Sequence, residues 1–96
     1  KASGMLRLAL LMLVLALVAL PAQAAEIYRV DGLPRGETLS IRETPDAAGP
    51  VLGQIPVGRR VTGFGCTNDT PSATTWCRVR FDGTLGWARR RYLTPE

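Results

Sequence analysis

The 96-residue sequence has no histidine, only two cysteines and a single lysine, which is its first residue. Without imidazole there is no side chain whose ordinary pKa lies near neutrality, so no His-activated nucleophile or His proton shuttle can be built. Two thiols do not complete a zinc site, and their spacing is not the C-x-x-C of a redox pair. The acids Glu37, Glu43 and Asp46 fall in turn-rich segments, with nothing to set two of them across a substrate as a glycosidase requires. A chain this short also leaves little room for a deep enclosed pocket. These absences argue against an enzyme and imply neither a metal nor a cofactor.

Apolar residues are not scarce, but their long run is confined to one end. Leu8 to Leu20 is an unbroken stretch of Leu, Ala, Met and Val behind Arg7, stopped by Pro21 and followed by Ala22-Gln23-Ala24. A charged start, a short apolar stretch and small residues before a cut describe a secretory signal peptide. The run is shorter than the roughly 18–20 residues a spanning helix needs, and no cysteine follows it to carry a lipid. Residues 1–24 are therefore expected to be a leader, with 1–4 lying upstream of a true start at Met5. Residues 25–96 form the mature domain, without a stable membrane span and with a periplasmic or secreted location.

Removing the leader changes the charge argument. The mature segment holds ten Arg and eight Asp or Glu, a formal charge of +2. So mild an excess does not steer a chain to nucleic acid, and export argues against that partner independently. Cys66 and Cys77 both lie in the exported part, and an even count in an oxidising compartment implies a disulfide. Closing a loop of about a dozen residues contributes roughly 3 kcal/mol in the chain-entropy picture. That is a large share for a domain whose core supplies only ~3–5 kcal/mol.

The clearest local signal is W-C-R-V-R-F-D-G-T-L-G-W-A-R, residues 76–89. Cys77, Val79 and Phe81 alternate with Arg78 and Arg80, the period of a strand with one buried face. Asp82-Gly83 favours the left-handed dihedrals of a type I′ hairpin turn. Thr84–Arg89 then returns as a second strand, with Leu85 and Trp87 on one face and Gly86 and Ala88 on the other. Arg90–Leu93 suits a single helical turn. Upstream, residues 27–30, 38–42, 51–55 and 59–65 read as strands, with Leu39, Ile41 and Val61 inward and the last strand bent at its glycines. Turn signals every eight to twelve residues and no helical period describe an all-β fold, a small barrel of short strands behind a leader helix.

These segments resemble, in order and spacing, the bacterial SH3 (SH3b) family. L-S-I-R-E-T-P-D at residues 39–46 is similar to its L-N-V-R-x-x-P-S. V-L-G-Q-I-P-V-G at 51–58 is similar to V-I-G-x-L-x-x-G, and Trp76, Val79, Gly86-Trp87 and Tyr92-Leu93 follow its W-x-x-V and G-W-V…Y-L. The resemblance covers nearly all of the mature chain. It implies an SH3-like barrel of five to seven strands that binds rather than catalyses, recognising cell-wall peptides or envelope proteins. The last hairpin also resembles the eukaryotic SH3 pattern, in which Trp76 stands at the groove Trp and Tyr92 at the groove Tyr. Tyr28 falls near another groove Tyr. Arg89 departs from this pattern, standing where a groove proline is common. It would charge the slot and suit a carboxylate better than an ordinary proline helix.

The candidate ligand-binding residues are thus Trp76, Tyr92, Arg89 and Tyr28, with Arg42, Trp87 and Gly86 assigned structural roles. Period two sends Trp76 outward, where it either meets a ligand or caps the barrel beneath the disulfide-closed loop. The Arg89–Arg91 run is either a face for an acidic partner or a solvated turn. The expected function is a monomeric, non-catalytic exported module that grips a peptidoglycan peptide in a shallow aromatic groove. The alternative is a periplasmic protein–protein adaptor.

Overall fold

The computed structural model describes residues 25–96; the expected leader lies outside them. Seven strands follow in sequence: β1 Glu26–Val30, β2 Thr38–Arg42, β3 Val51–Pro56, β4 Arg60–Cys66, β5 Trp76–Phe81, β6 Thr84–Arg89 and β7 Leu93–Pro95. A 3-10 turn, Arg90–Tyr92, separates the last two. All pairings are antiparallel, in the spatial order β3-β2-β6-β5-β4-β1-β7.

The sheet is rolled, because residues from its two ends share one core. Leu39, Ile41 and Ile55 from β2 and β3 join Tyr28, Val30, Val61 and Leu93 from β1, β4 and β7, with Cys77, Val79 and Ala88 between them. Period-two alternation supplies this inner lining: the burial of β2 and of the centre of β5 switches with every residue. The SH3-like barrel expected from the sequence is the fold observed.

The hairpin of β5 and β6 turns through Asp82 at φ 49° and Gly83 at φ 81°, the left-handed pair a type I′ turn demands. Its register sets Cys77 opposite Ala88 and Val79 opposite Gly86 on the inner face. On the outer face Trp76 stands opposite Arg89, Arg78 opposite Trp87 and Arg80 opposite Leu85. β4 carries a one-residue bulge between Gly63 and Cys66, where the register against β5 shifts. Gly65 takes φ 113° there, and Phe64 is turned to the surface. β7 is the element that sequence periodicity missed. Three residues are too few to show a period, and its pairing with Tyr28–Val30 is set by the turn before it.

Candidate functional site

Cys66 and Cys77 face each other across β4 and β5 and are joined, closing the eleven-residue step that contains the 67–75 loop. The loop is ordered by its own polar groups. The Thr75 hydroxyl is fully buried, donating to the Thr70 carbonyl at 2.7 Å with Asn68 Oδ1 at 2.9 Å and Ser72 Oγ at 2.9 Å around it. The Trp76 N–H donates to Thr67 Oγ1, and the Thr67 N–H to the Trp76 carbonyl. The loop is thereby clamped to the start of β5.

That clamp decides the environment of Trp76. Its side chain points away from the core, as alternation requires, yet the residue is only 6% exposed. Arg89, directly opposite, lies over the indole at 4.8 Å and donates from Nη1 to the Ala73 carbonyl at 2.9 Å. Of the two roles open to Trp76, the geometry is that of a ring packed under the disulfide-closed loop with a guanidinium lid. Arg89 is half-buried and committed to that lid.

Tyr28 is 4% exposed and points into the barrel end, its ring packed where Gly63 leaves room. Its hydroxyl donates to Glu26 Oε2 at 2.5 Å. Burial, and then the Glu26 carboxylate, push its pKa above the ordinary phenol value, against the lowering effect of Arg90. Arg90 lies over the ring at 5.2 Å and donates to the Leu93 carbonyl at 2.5 Å. Tyr92 is half-buried, with Arg91 over its ring at 5.1 Å and Gly32 beside it. The arginine run is thus only part solvated, with Arg91 exposed and Arg89 and Arg90 half-buried. Its three guanidiniums lie over three different aromatic rings.

Arg42 donates to the Gly49 carbonyl at 2.8 Å and ties down the β2–β3 loop. Gly86 is buried where any Cβ would stand 2.6 Å from both the Arg42 carbonyl oxygen and Ile41 Cγ2. Its neighbour Trp87 is half-buried on the outer face, in register between Arg42 of β2 and Arg78 of β5.

An open groove runs over this part of the surface, with Glu26, Tyr28, Phe64, Arg78, Trp87 and Arg90 among its lining. The structure thus brings Tyr28, of the expected contacts, to the groove, and pairs Trp76 with Arg89 in the packed wall of the loop. Trp87, Arg78 and Phe64 were not singled out as contacts by sequence reasoning, and Arg90 entered only as part of the Arg89–Arg91 run. The signal that could have found two of them is the outward phase of the hairpin, which sets Arg78 and Trp87 on one face.

A barrel of this topology, with its Gly-Trp step on β6 and its Tyr-Leu step after the 3-10 turn, has a family counterpart. The family model for the bacterial SH3 domain matches residues 29–94. The chain belongs to the bacterial SH3 domain family. No curated protein matches the chain, and no solved structure does. The bacterial SH3 match spans every strand from β2 to β6, the last two residues of β1 and the first two of β7. Domains of this family are generally non-catalytic binding modules, commonly connected with the cell wall. In this chain both thiols are joined in the disulfide, and the groove is lined by rings and guanidiniums. Among the described residues no helix is long and apolar enough to cross a membrane.

Proposed function

We propose that this bacterial SH3 domain is an exported, non-catalytic module that takes a short cell-wall peptide in the groove lined by Tyr28, Phe64, Trp87, Arg78 and Arg90. The observation that carries the reading is the groove itself, which joins aromatic surface to two guanidiniums on a barrel cross-linked between β4 and β5. Rings on a stiff scaffold give contact area at low entropic cost, and guanidiniums fix the polar ends of a peptide. Trp76, Arg89 and Tyr92 support that surface in this reading by holding the loop and the 3-10 turn. The disulfide is compatible with a periplasmic or secreted location.

The test is co-sedimentation with purified peptidoglycan sacculi, followed by titration of stem peptides against 15N-labelled protein. The reading expects amide shifts concentrated at residues 26–28, 64, 78, 87 and 90. No sedimentation together with no shift at millimolar peptide would sink it.

One observation favours the adaptor alternative. β3 ends the sheet, and its Val51 and Leu52 are 48% and 47% exposed. An unpaired edge with apolar side chains can add a strand from a partner. An envelope partner lost from Leu52→Lys but retained by Arg78→Gln would support this reading over the groove.

A further inference from the structure

The chain has six aromatic residues, all within the described part. Five of the rings lie under an arginine: Phe81 under Arg59 at 5.0 Å, Phe64 under Arg80 at 5.1 Å, Trp76 under Arg89 at 4.8 Å, Tyr28 under Arg90 at 5.2 Å and Tyr92 under Arg91 at 5.1 Å. Trp87 is the sixth, and among the described residues no guanidinium covers it. The arginines tell the same story from the other side. Arg29 and Arg60 bond Glu96, Arg42 bonds the Gly49 carbonyl, and five more cover the rings. Only Arg35, in the β1–β2 loop, and Arg78 have a side chain with no hydrogen bond, ion pair or ring among the described residues. Arg78 stands directly opposite Trp87 on the outer face of the hairpin.

We infer that Arg78 and Trp87 are the ligand-reading centre of the groove, and that the ligand class is a short peptide presenting a carboxylate. The inference rests on the groove reading above and adds the ligand's chemistry. An uncommitted guanidinium keeps its forked donors for a carboxylate, a planar match that takes two parallel hydrogen bonds. The uncovered indole gives the adjoining aliphatic part of the peptide a flat apolar surface. The covered rings offer no such face without first displacing an arginine.

The other groove walls select against a polyanion. Glu26, Asp69 and Glu96 also line it; Glu26 accepts from Tyr28 and Glu96 from Arg29 and Arg60, so Asp69 is the carboxylate of the three with no side-chain bond among the described residues. Arg90 is held by Tyr28 and the Leu93 carbonyl. That leaves one uncommitted cation for one carboxylate, with Asp69 in the same groove to repel a second.

The deciding experiment titrates the full chain with a stem tetrapeptide whose carboxylates are free, and with the same peptide amidated at them. Both are run on wild type, Arg78→Gln and Arg35→Gln, reading affinity and the two indole Nε1–H resonances. The acid should bind wild type roughly tenfold or more tighter than the amide, the range of a charge-assisted hydrogen bond. It should move the Trp87 indole while leaving that of Trp76 in place. Arg78→Gln should bring the acid down to the amide's affinity, and Arg35→Gln should change nothing. Acid and amide binding equally, or Arg78→Gln binding as wild type does, would overturn this inference and leave the groove reading intact. Failure of both peptides to bind wild type would remove the groove reading and this inference with it.

Discussion

Five of the ten arginines in the described residues sit over an aromatic ring. A guanidinium over a ring gains a cation–π term of about 0.5–1 kcal/mol at an exposed site and shields apolar surface with its stem. At Arg89 the lid is also pinned to the Ala73 carbonyl, so Arg89→Ala should cost about 1 kcal/mol. It should also shift the Trp76 emission to the red, read by fluorescence during urea unfolding. Gly86 is a second residue with a stated physical duty. The Cβ of Gly86→Ala would press on the Arg42 carbonyl and Ile41 in β2, neither of which can swing aside. Equilibrium unfolding should show a loss of roughly 1–3 kcal/mol, the usual cost of overpacking. Glu96 supplies a pH signature. Hydrogen bonds from Arg60 and then Arg29 hold its carboxyl below the ordinary range, so the unfolded chain takes up that proton more readily. The stabilisation is present above the ordinary carboxylate pKa and is lost as the pH falls through the depressed value. Glu96→Gln should therefore flatten the acid side of a stability–pH curve and leave the neutral region nearly parallel to wild type.

Among the elements, the hairpin of β5 and β6 was legible from its sequence because three independent signals coincide. The alternation fixes the strands, Asp82-Gly83 fixes the turn, and the Gly86–Ala88 phase fixes the inner face. The bend in β4 was legible too, since glycine at residues 63 and 65 marks a strand that must yield. What could not be read was how Trp76 is covered. Alternation gives a side chain's direction, but the 67–75 loop that closes over the ring is ordered by Thr75, Asn68 and Ser72, a polar network with no period. The purpose of the arginine run was hidden for the same reason, because each guanidinium finds its ring only after the chain has turned. The disulfide locks this loop to the sheet. Replacing both Cys66 and Cys77 with Ser should cost about 3 kcal/mol, seen as a lower Tm than wild type. Reductant should lower wild type to the same value and leave the double variant unchanged.

At the scale of the whole described domain, residues 25–96 are a small barrel with an apolar inside, and five of its six aromatic rings lie under arginines. A domain near this size has little stability to spare, and closing its surface aromatics with its own arginines limits unwanted association. The groove is the exception, and in this account the exception is the function. Its most direct test places a soluble paramagnetic relaxation agent with the labelled protein and follows the two indole Nε1–H signals before and after a wall stem peptide is added. The account predicts that the agent bleaches Trp87 and spares Trp76, and that the peptide restores Trp87 alone. Equal bleaching of both indoles, or a peptide that binds and protects neither, would contradict it.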